Sequence, residues 1–195
     1  MDYLLYNLSG KKAARGDECL LDADEREQYA RRGERYLITR ALLKKELARR
    51  CGVAPEEIRF SYNEHGKPSF EQQHFNISHS GNLLCMAFHH ADIGVDIQQI
   101  RPVRRMESLA HRIMSEQQLE IFREQGSRAE DFFTCWSIAE ALVKLHAATI
   151  WDALRYPFTY KNGRVSTAET LPSVKIHLFT PAEGFCGAIA MRTEA

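Results

Sequence analysis

Two carboxylates in apolar company are the residues of this chain that most need a chemical reason. Glu140 lies in the run FFTCWSIAEALVKL, residues 132–145, which is apolar on nearly every side apart from Thr134, Ser137, Glu140 and Lys144. A helix hydrophobic all round is normally buried, and a carboxylate carried inward with it needs a cation or a metal to offset its lost hydration. Lys144 stands four residues on, hence on the same helical face. The plain alternative is a Glu-to-Lys pair on a narrow solvated stripe, worth a few tenths of a kcal/mol. Asp96 interrupts the alternating stretch Ile93-Gly94-Val95-Asp96-Ile97-Gln98. Alternation places Gly94, Asp96 and Gln98 on one face, and Asp is a poor strand residue. Either that face is simply solvated, or Asp96 is a ligand for a hard cation, with Gln98 as a neutral oxygen donor directly or through water.

A third cluster, Phe75-Asn76-Ile77-Ser78-His79-Ser80-Gly81, offers hydroxyls, an imidazole and turn N–H groups to a phosphate. A Ser-His-Asp hydrolase finds no G-x-S-x-G elbow here. Gly66-Lys67-Pro68 fails as a P-loop ending, because no glycine precedes it at the required spacing. Residues 31–50 carry eight bases, among them Arg35 and Arg40, against Glu34 and Glu46. Most of that charge reads as a solvated helical face, with phosphate recognition or docking of an acidic partner as the alternatives.

These groups must be positioned by elements the sequence also indicates. A strand over 3–8 opens the chain, and a helix from about Glu34 to Arg50 stops at Gly52. Strands are expected at 58–62, 75–78, 83–88 and 93–98, with a turn at 63–68. Beyond Pro102 the pattern turns helical. Ser115 with Gln118 caps a helix ending near Gly126, and a second runs from about Ala129 to Ala147. Strands return at 158–160, at 174–179 and at 185–191, with an Asn162-Gly163 hairpin signal. The fold class is therefore α+β, with a lobe boundary near Ala91.

The 195 residues are 44% hydrophobic and 27% charged, with 26 Lys+Arg against 26 Asp+Glu. That is a globular profile, and neutrality argues against an obligate nucleic-acid or anionic-membrane binder. No apolar run approaches the ~20 residues needed to span a bilayer. The N-terminus, with Asp2 and Lys11, matches neither a signal nor a transit peptide. Five scattered cysteines suggest reduced thiols and a cytoplasmic protein.

Taken together, FNISHSG, IGVDIQ and WSIAEALVK, in that order and spacing and behind a GKPSF segment, resemble the 4′-phosphopantetheinyl transferase superfamily. The likeness, from roughly Arg35 to Ala147, is to its monomeric, pseudo-two-fold branch, the surfactin-synthetase-activating type. It implies two similar lobes, 1–91 and 92–195, each a small antiparallel sheet with a packed helix and together holding coenzyme A. It implies magnesium-dependent transfer of phosphopantetheine to a serine of an acyl or peptidyl carrier protein, by a monomer with no nucleic-acid or membrane partner.

By motif position, Asp96 and Glu140 would hold Mg2+, with Gln98 beside them. Glu140 and Lys144 would serve the chemistry, Lys144 facing the diphosphate. Ser78 and His79 would lie near the adenosine and 3′-phosphate, with Arg35, Arg40 and Lys67 as anion partners of coenzyme A. Two departures from the pattern stand out. Ala139 occupies a position where the family usually has Lys, and Gln98 one where it often has an acid. A missing phosphate contact at roughly 1.5–3 kcal/mol would slow turnover about ten- to a hundredfold, so Ala139→Lys is expected to raise activity. A catalytically weakened module that binds coenzyme A or carrier proteins is the rival reading.

Overall fold

The computed structural model describes residues 1–168, 171 and 173–193. In chain order the strands are β1 (Asp2–Asn7), β2 (Ser61–Tyr62), β3 (Pro68–Ser69), β4 (His74–Ser80), β5 (Leu83–His89), β6 (Ile93–Gln99), β7 (Phe158–Lys161), β8 (Arg164–Thr167), β9 (Val174–Phe179) and β10 (Phe185–Arg192). The helices are α1 (Ala23–Arg32), α2 (Glu34–Cys51), α3 (Met106–Ile113), α4 (Glu116–Glu124) and α5 (Ala129–Leu145). Two antiparallel three-stranded sheets, β1-β5-β4 and β6-β10-β9, form the frame, and β2-β3 and β7-β8 are small ribbons. The chain is α+β, as its pattern indicates. The expected second lobe, 92–195, is described except for residues 169, 170, 172, 194 and 195.

The two sheets meet along β4 and β6 without a backbone ladder. Asn76 Oδ1, Ser78 Oγ and Ser80 Oγ accept the N–H groups of Val95, Ile97 and Gln99 at 2.9, 3.2 and 2.9 Å. Alternate side chains of one strand thus stand in for the carbonyls a neighbouring strand would present, which satisfies donors that burial would otherwise leave unpaired. The small polar residues at 76, 78 and 80 are structural in this sense.

Helix α5 packs on β6 at very short range. A Cβ placed on Gly94 would come within 2.1 Å of the Ala141 carbonyl oxygen and 2.5 Å of the Leu145 nitrogen. Only glycine lets the strand backbone lie against the helix backbone here. On its other sides α5 is buried through Phe132, Ile138, Leu142 and Val143.

Two expectations need correction. Residues 58–60 are not strand; Ile58 is buried after a short 3-10 turn, and pairing begins only at Ser61. The polar stretch through Glu27 contains α1, held by a capping box in which Asp22 accepts from the Glu25 N–H and Glu25 from the Asp22 N–H. Its signature, Asp22 followed three residues later by Glu25, is present in the sequence. Asn162 and Gly163 both take positive φ, 50° and 77°, as the hairpin signal requires.

Candidate active site

Lys144 is the hub. Its Nζ lies 2.7 Å from Asp96 Oδ1, 3.1 Å from the Val95 carbonyl and 3.5 Å from Ser78 Oγ. Ser78 donates to Asp96 Oδ1 at 2.9 Å, and Gln98 Nε2 donates to Asp96 Oδ2 at 2.8 Å. Asp96 is therefore a buried carboxylate with every oxygen engaged, held by neighbours on three elements. The strand alternation read from the sequence places it toward α5 rather than toward water.

Glu140 lines a cavity of about 350 Å³ with Lys144, Lys67, His65, Asn76 and Ile77. Among the described residues its carboxylate accepts no hydrogen bond. Burial pushes its pKa above the ordinary value of 4.5, opposed by Lys144 and reinforced by the Asp96 charge. A half-buried acid whose charge is opposed by a second acid, with the nearby ammonium bonded to that second acid, is a poor resting arrangement and a good acceptor for a hard cation.

No group of three or more His, Cys, Asp and Glu gathers among the described residues. Two carboxylates nevertheless suit magnesium, which is commonly bound by one or two of them plus substrate phosphates. The donor set fits such an ion. Gln98 presents its amide Nε2 to Asp96, so a direct oxygen ligand from Gln98 would require the amide to turn over.

Lys67 Nζ donates to the Lys144 carbonyl at 2.6 Å and to the Ile93 carbonyl at 3.3 Å. A cation is well placed at the C-terminal end of a helix, so Lys67 ties the β2–β3 ribbon to α5. Burial lowers its pKa.

A neighbouring cavity of about 380 Å³ is lined by Arg32, Arg35, Tyr36, Thr39, Arg40, Ile77, His79, Ser80 and Gly81. Arg35, Arg40 and His79 come together here as the sequence suggests, and Ile77 lines both cavities. Burial, then Arg35, keeps the His79 pKa below 6.5. Arg35 Nη2 donates to the Gly81 carbonyl at 2.6 Å.

Arg40 is buried over the rings of Tyr36, Phe60 and Tyr62 at 5.2, 5.0 and 5.6 Å. Its Nη1 has no hydrogen-bond partner among the described residues. Glu25 serves both the buried Lys44, at 2.5 Å, and Arg40, at 3.6 Å, so one carboxylate faces two cations. Sequence reasoning did not single out Tyr36 and Tyr62, which carry no motif signal.

The geometry places three further features read from the sequence. Ser78 does not line the His79 cavity; strand alternation turns it to Asp96. Residues 31–50 carry largely exposed, ion-paired bases, Arg31 with Glu27, Lys45 with Asp17 and Arg49 with Glu46, while Arg50 also pairs with Glu46 and Lys44 is wholly buried. Ala139 is buried in the core cluster of α5.

A profile described as 4′-phosphopantetheinyl transferase superfamily matches residues 92–177, the segment that holds Asp96, Glu140 and Lys144. The chain is 27% identical over 166 residues to the 4′-phosphopantetheinyl transferase HetI of Nostoc sp., covering 80% of this chain and 70% of that protein. It is 30% identical over 166 residues to the transferase AcpT of Escherichia coli K12, covering 77% and 76%. It is 30% identical over 115 residues to the transferase Sfp of Bacillus subtilis, covering 56% of this chain and half of that protein.

Proposed function

The chain belongs to the 4′-phosphopantetheinyl transferase superfamily, and on that footing we propose that it moves phosphopantetheine from coenzyme A to a serine of an acyl or peptidyl carrier protein. The observation that carries the reading is the convergence of Glu140, Lys144 and Asp96 beside a cavity adjoining the Arg35–Arg40–His79 pocket. Coenzyme A would lie across both, with adenosine and its 3′-phosphate among Arg35, Arg40 and His79 and its diphosphate at Lys144. The unpartnered Arg40 Nη1 and the charge imbalance around Glu25 support an anion there. Residues 1–91 and 92–195 are then two lobes gripping one substrate, with the polar seam between β4 and β6 as their join.

A magnesium ion held by Asp96 and Glu140 would neutralise charge on the diphosphate. Lys144 would hold the leaving phosphate oxygen. The carrier serine oxygen attacks the phosphorus that bears the pantetheine. The bond to adenosine 3′,5′-bisphosphate breaks, and the bisphosphate leaves with the electron pair. Glu140 would take the serine proton directly or through water. Ser78 and Gln98 orient Asp96.

The five cysteines are free thiols, which supports action in a reducing cytoplasm. No helix among the described residues is long and apolar enough to cross a membrane.

Incubation with coenzyme A, magnesium and apo carrier proteins should add the mass of one phosphopantetheine to the carrier, seen by intact-protein mass spectrometry. Magnesium-dependent coenzyme A binding with no mass shift across a panel of carriers would replace this reading with the binding module.

A further inference from the structure

The two most exposed large apolar side chains, Trp151 at 72% and Leu154 at 51%, sit on one short 3-10 turn, Ile150–Arg155. The turn follows α5 directly, and its leading residues Thr149 and Ile150 line the cavity that holds Glu140 and Lys144. It is well anchored: Asp152 accepts from both the N–H and the hydroxyl of Thr149, and Ala153 is buried. An indole held in the open on a fixed turn beside a reaction cleft is costly to leave wet and typical of an interface anchor.

The surroundings are cationic. The Arg112 guanidinium lies 5.5 Å from the Trp151 ring and pairs with no carboxylate among the described residues, while Arg155 is largely exposed and pairs with Asp152 of the same turn at 3.2 Å.

We propose that the Trp151–Leu154 turn, with Arg112 and Arg155, is the surface on which the carrier domain docks. The partner it fits presents an apolar patch ringed by acids, seated so that its serine enters the Glu140–Lys144 cavity. Continuity with the cleft identifies the occupant, because the partner's serine must reach the cavity that Thr149 and Ile150 line, and the unpaired Arg112 beside Trp151 favours acids at its rim. This rests on the transferase reading above.

The test uses the full chain, an apo acyl carrier protein and an apo peptidyl carrier domain, with binding followed by calorimetry and transfer by intact mass. Trp151→Ser combined with Leu154→Ser should raise the carrier Kd and KM at least about tenfold. The KM for coenzyme A, and kcat at saturating carrier, should stay within about twofold of wild type. Arg112→Glu and Arg155→Glu should weaken binding and flatten its dependence on salt. An unchanged carrier KM with transfer intact overturns the surface and leaves the transferase standing. Binding that depends on Trp151 but yields no transfer does the reverse. Failure of either carrier to bind the wild type overturns the surface, as does a wild-type dimer in sedimentation that the Trp151 variant dissociates, since a second copy would then be its occupant.

Discussion

Glu140 and Asp96 both feel the charge of Lys144, but only Asp96 bonds to it, and this unequal satisfaction separates the roles proposed for them. Asp96 is fixed by Lys144, Ser78 and Gln98, whereas Glu140 faces the cavity with its carboxylate free of hydrogen bonds. Glu140→Gln should lower transfer roughly a hundred- to a thousandfold while the fold survives. The stability consequence has a definite sign. A folded pKa above 4.5 means the native state binds more protons than the unfolded chain between 4.5 and that raised value. Wild-type stability therefore falls as pH rises through that window, relative to Glu140→Gln, and stays lower above it. Urea unfolding of both proteins from pH 4 to about 8 reads the difference directly. The burial of Ala139 reverses the expectation drawn from the family pattern. Ala139→Lys should destabilise by about 1–3 kcal/mol, by overpacking or a buried charge, without raising the rate at saturating coenzyme A. A faster variant with unchanged stability would show that the lysine reaches the phosphates after all.

Helix α5 and strand β6 act as one positioning device, because their backbones touch at Gly94. Gly94→Ala should cost about 3 kcal/mol or more and, by displacing Glu140 from Asp96, lower transfer in the part that remains folded. Differential scanning calorimetry with an activity assay below the transition separates the two effects. Wild-type stability in that variant would mean that strand and helix are not held so close. Both elements were legible in the sequence: α5 from its continuous apolar wrapping, β6 from alternation. The β4–β6 seam was not. Asn76, Ser78 and Ser80 read equally well as phosphate ligands, and only their pairing with Val95, Ile97 and Gln99 shows that they complete a backbone. Lys67 was read as an anion partner of coenzyme A, and its tie to the end of α5 was not foreseen for a similar reason. Its interaction with the Lys144 carbonyl links residues 77 apart in the chain, a contact that no local pattern encodes.

At the scale of the molecule, zero net charge conceals an uneven use of charge. In α2, carboxylates from Asp17, Glu25, Glu27 and Glu46 absorb most of the basic residues, so composition alone misplaces the attractive surface. Arg40 and Lys44 exceed the single carboxylate they share, and the excess lies beside the His79 cavity, where an anionic nucleotide is expected. On the proposed reading the two sheets contribute different halves of one site, a nucleotide-facing pocket from α2 and β4 and a reacting centre from β6 and α5. That division rests on Asp96 and Glu140 sharing a divalent ion, which electron paramagnetic resonance can test with Mn2+ in place of magnesium and coenzyme A present. We predict one bound Mn2+ in the wild type, lost in both Asp96→Asn and Glu140→Gln. An undiminished Mn2+ signal in either variant would contradict the shared site.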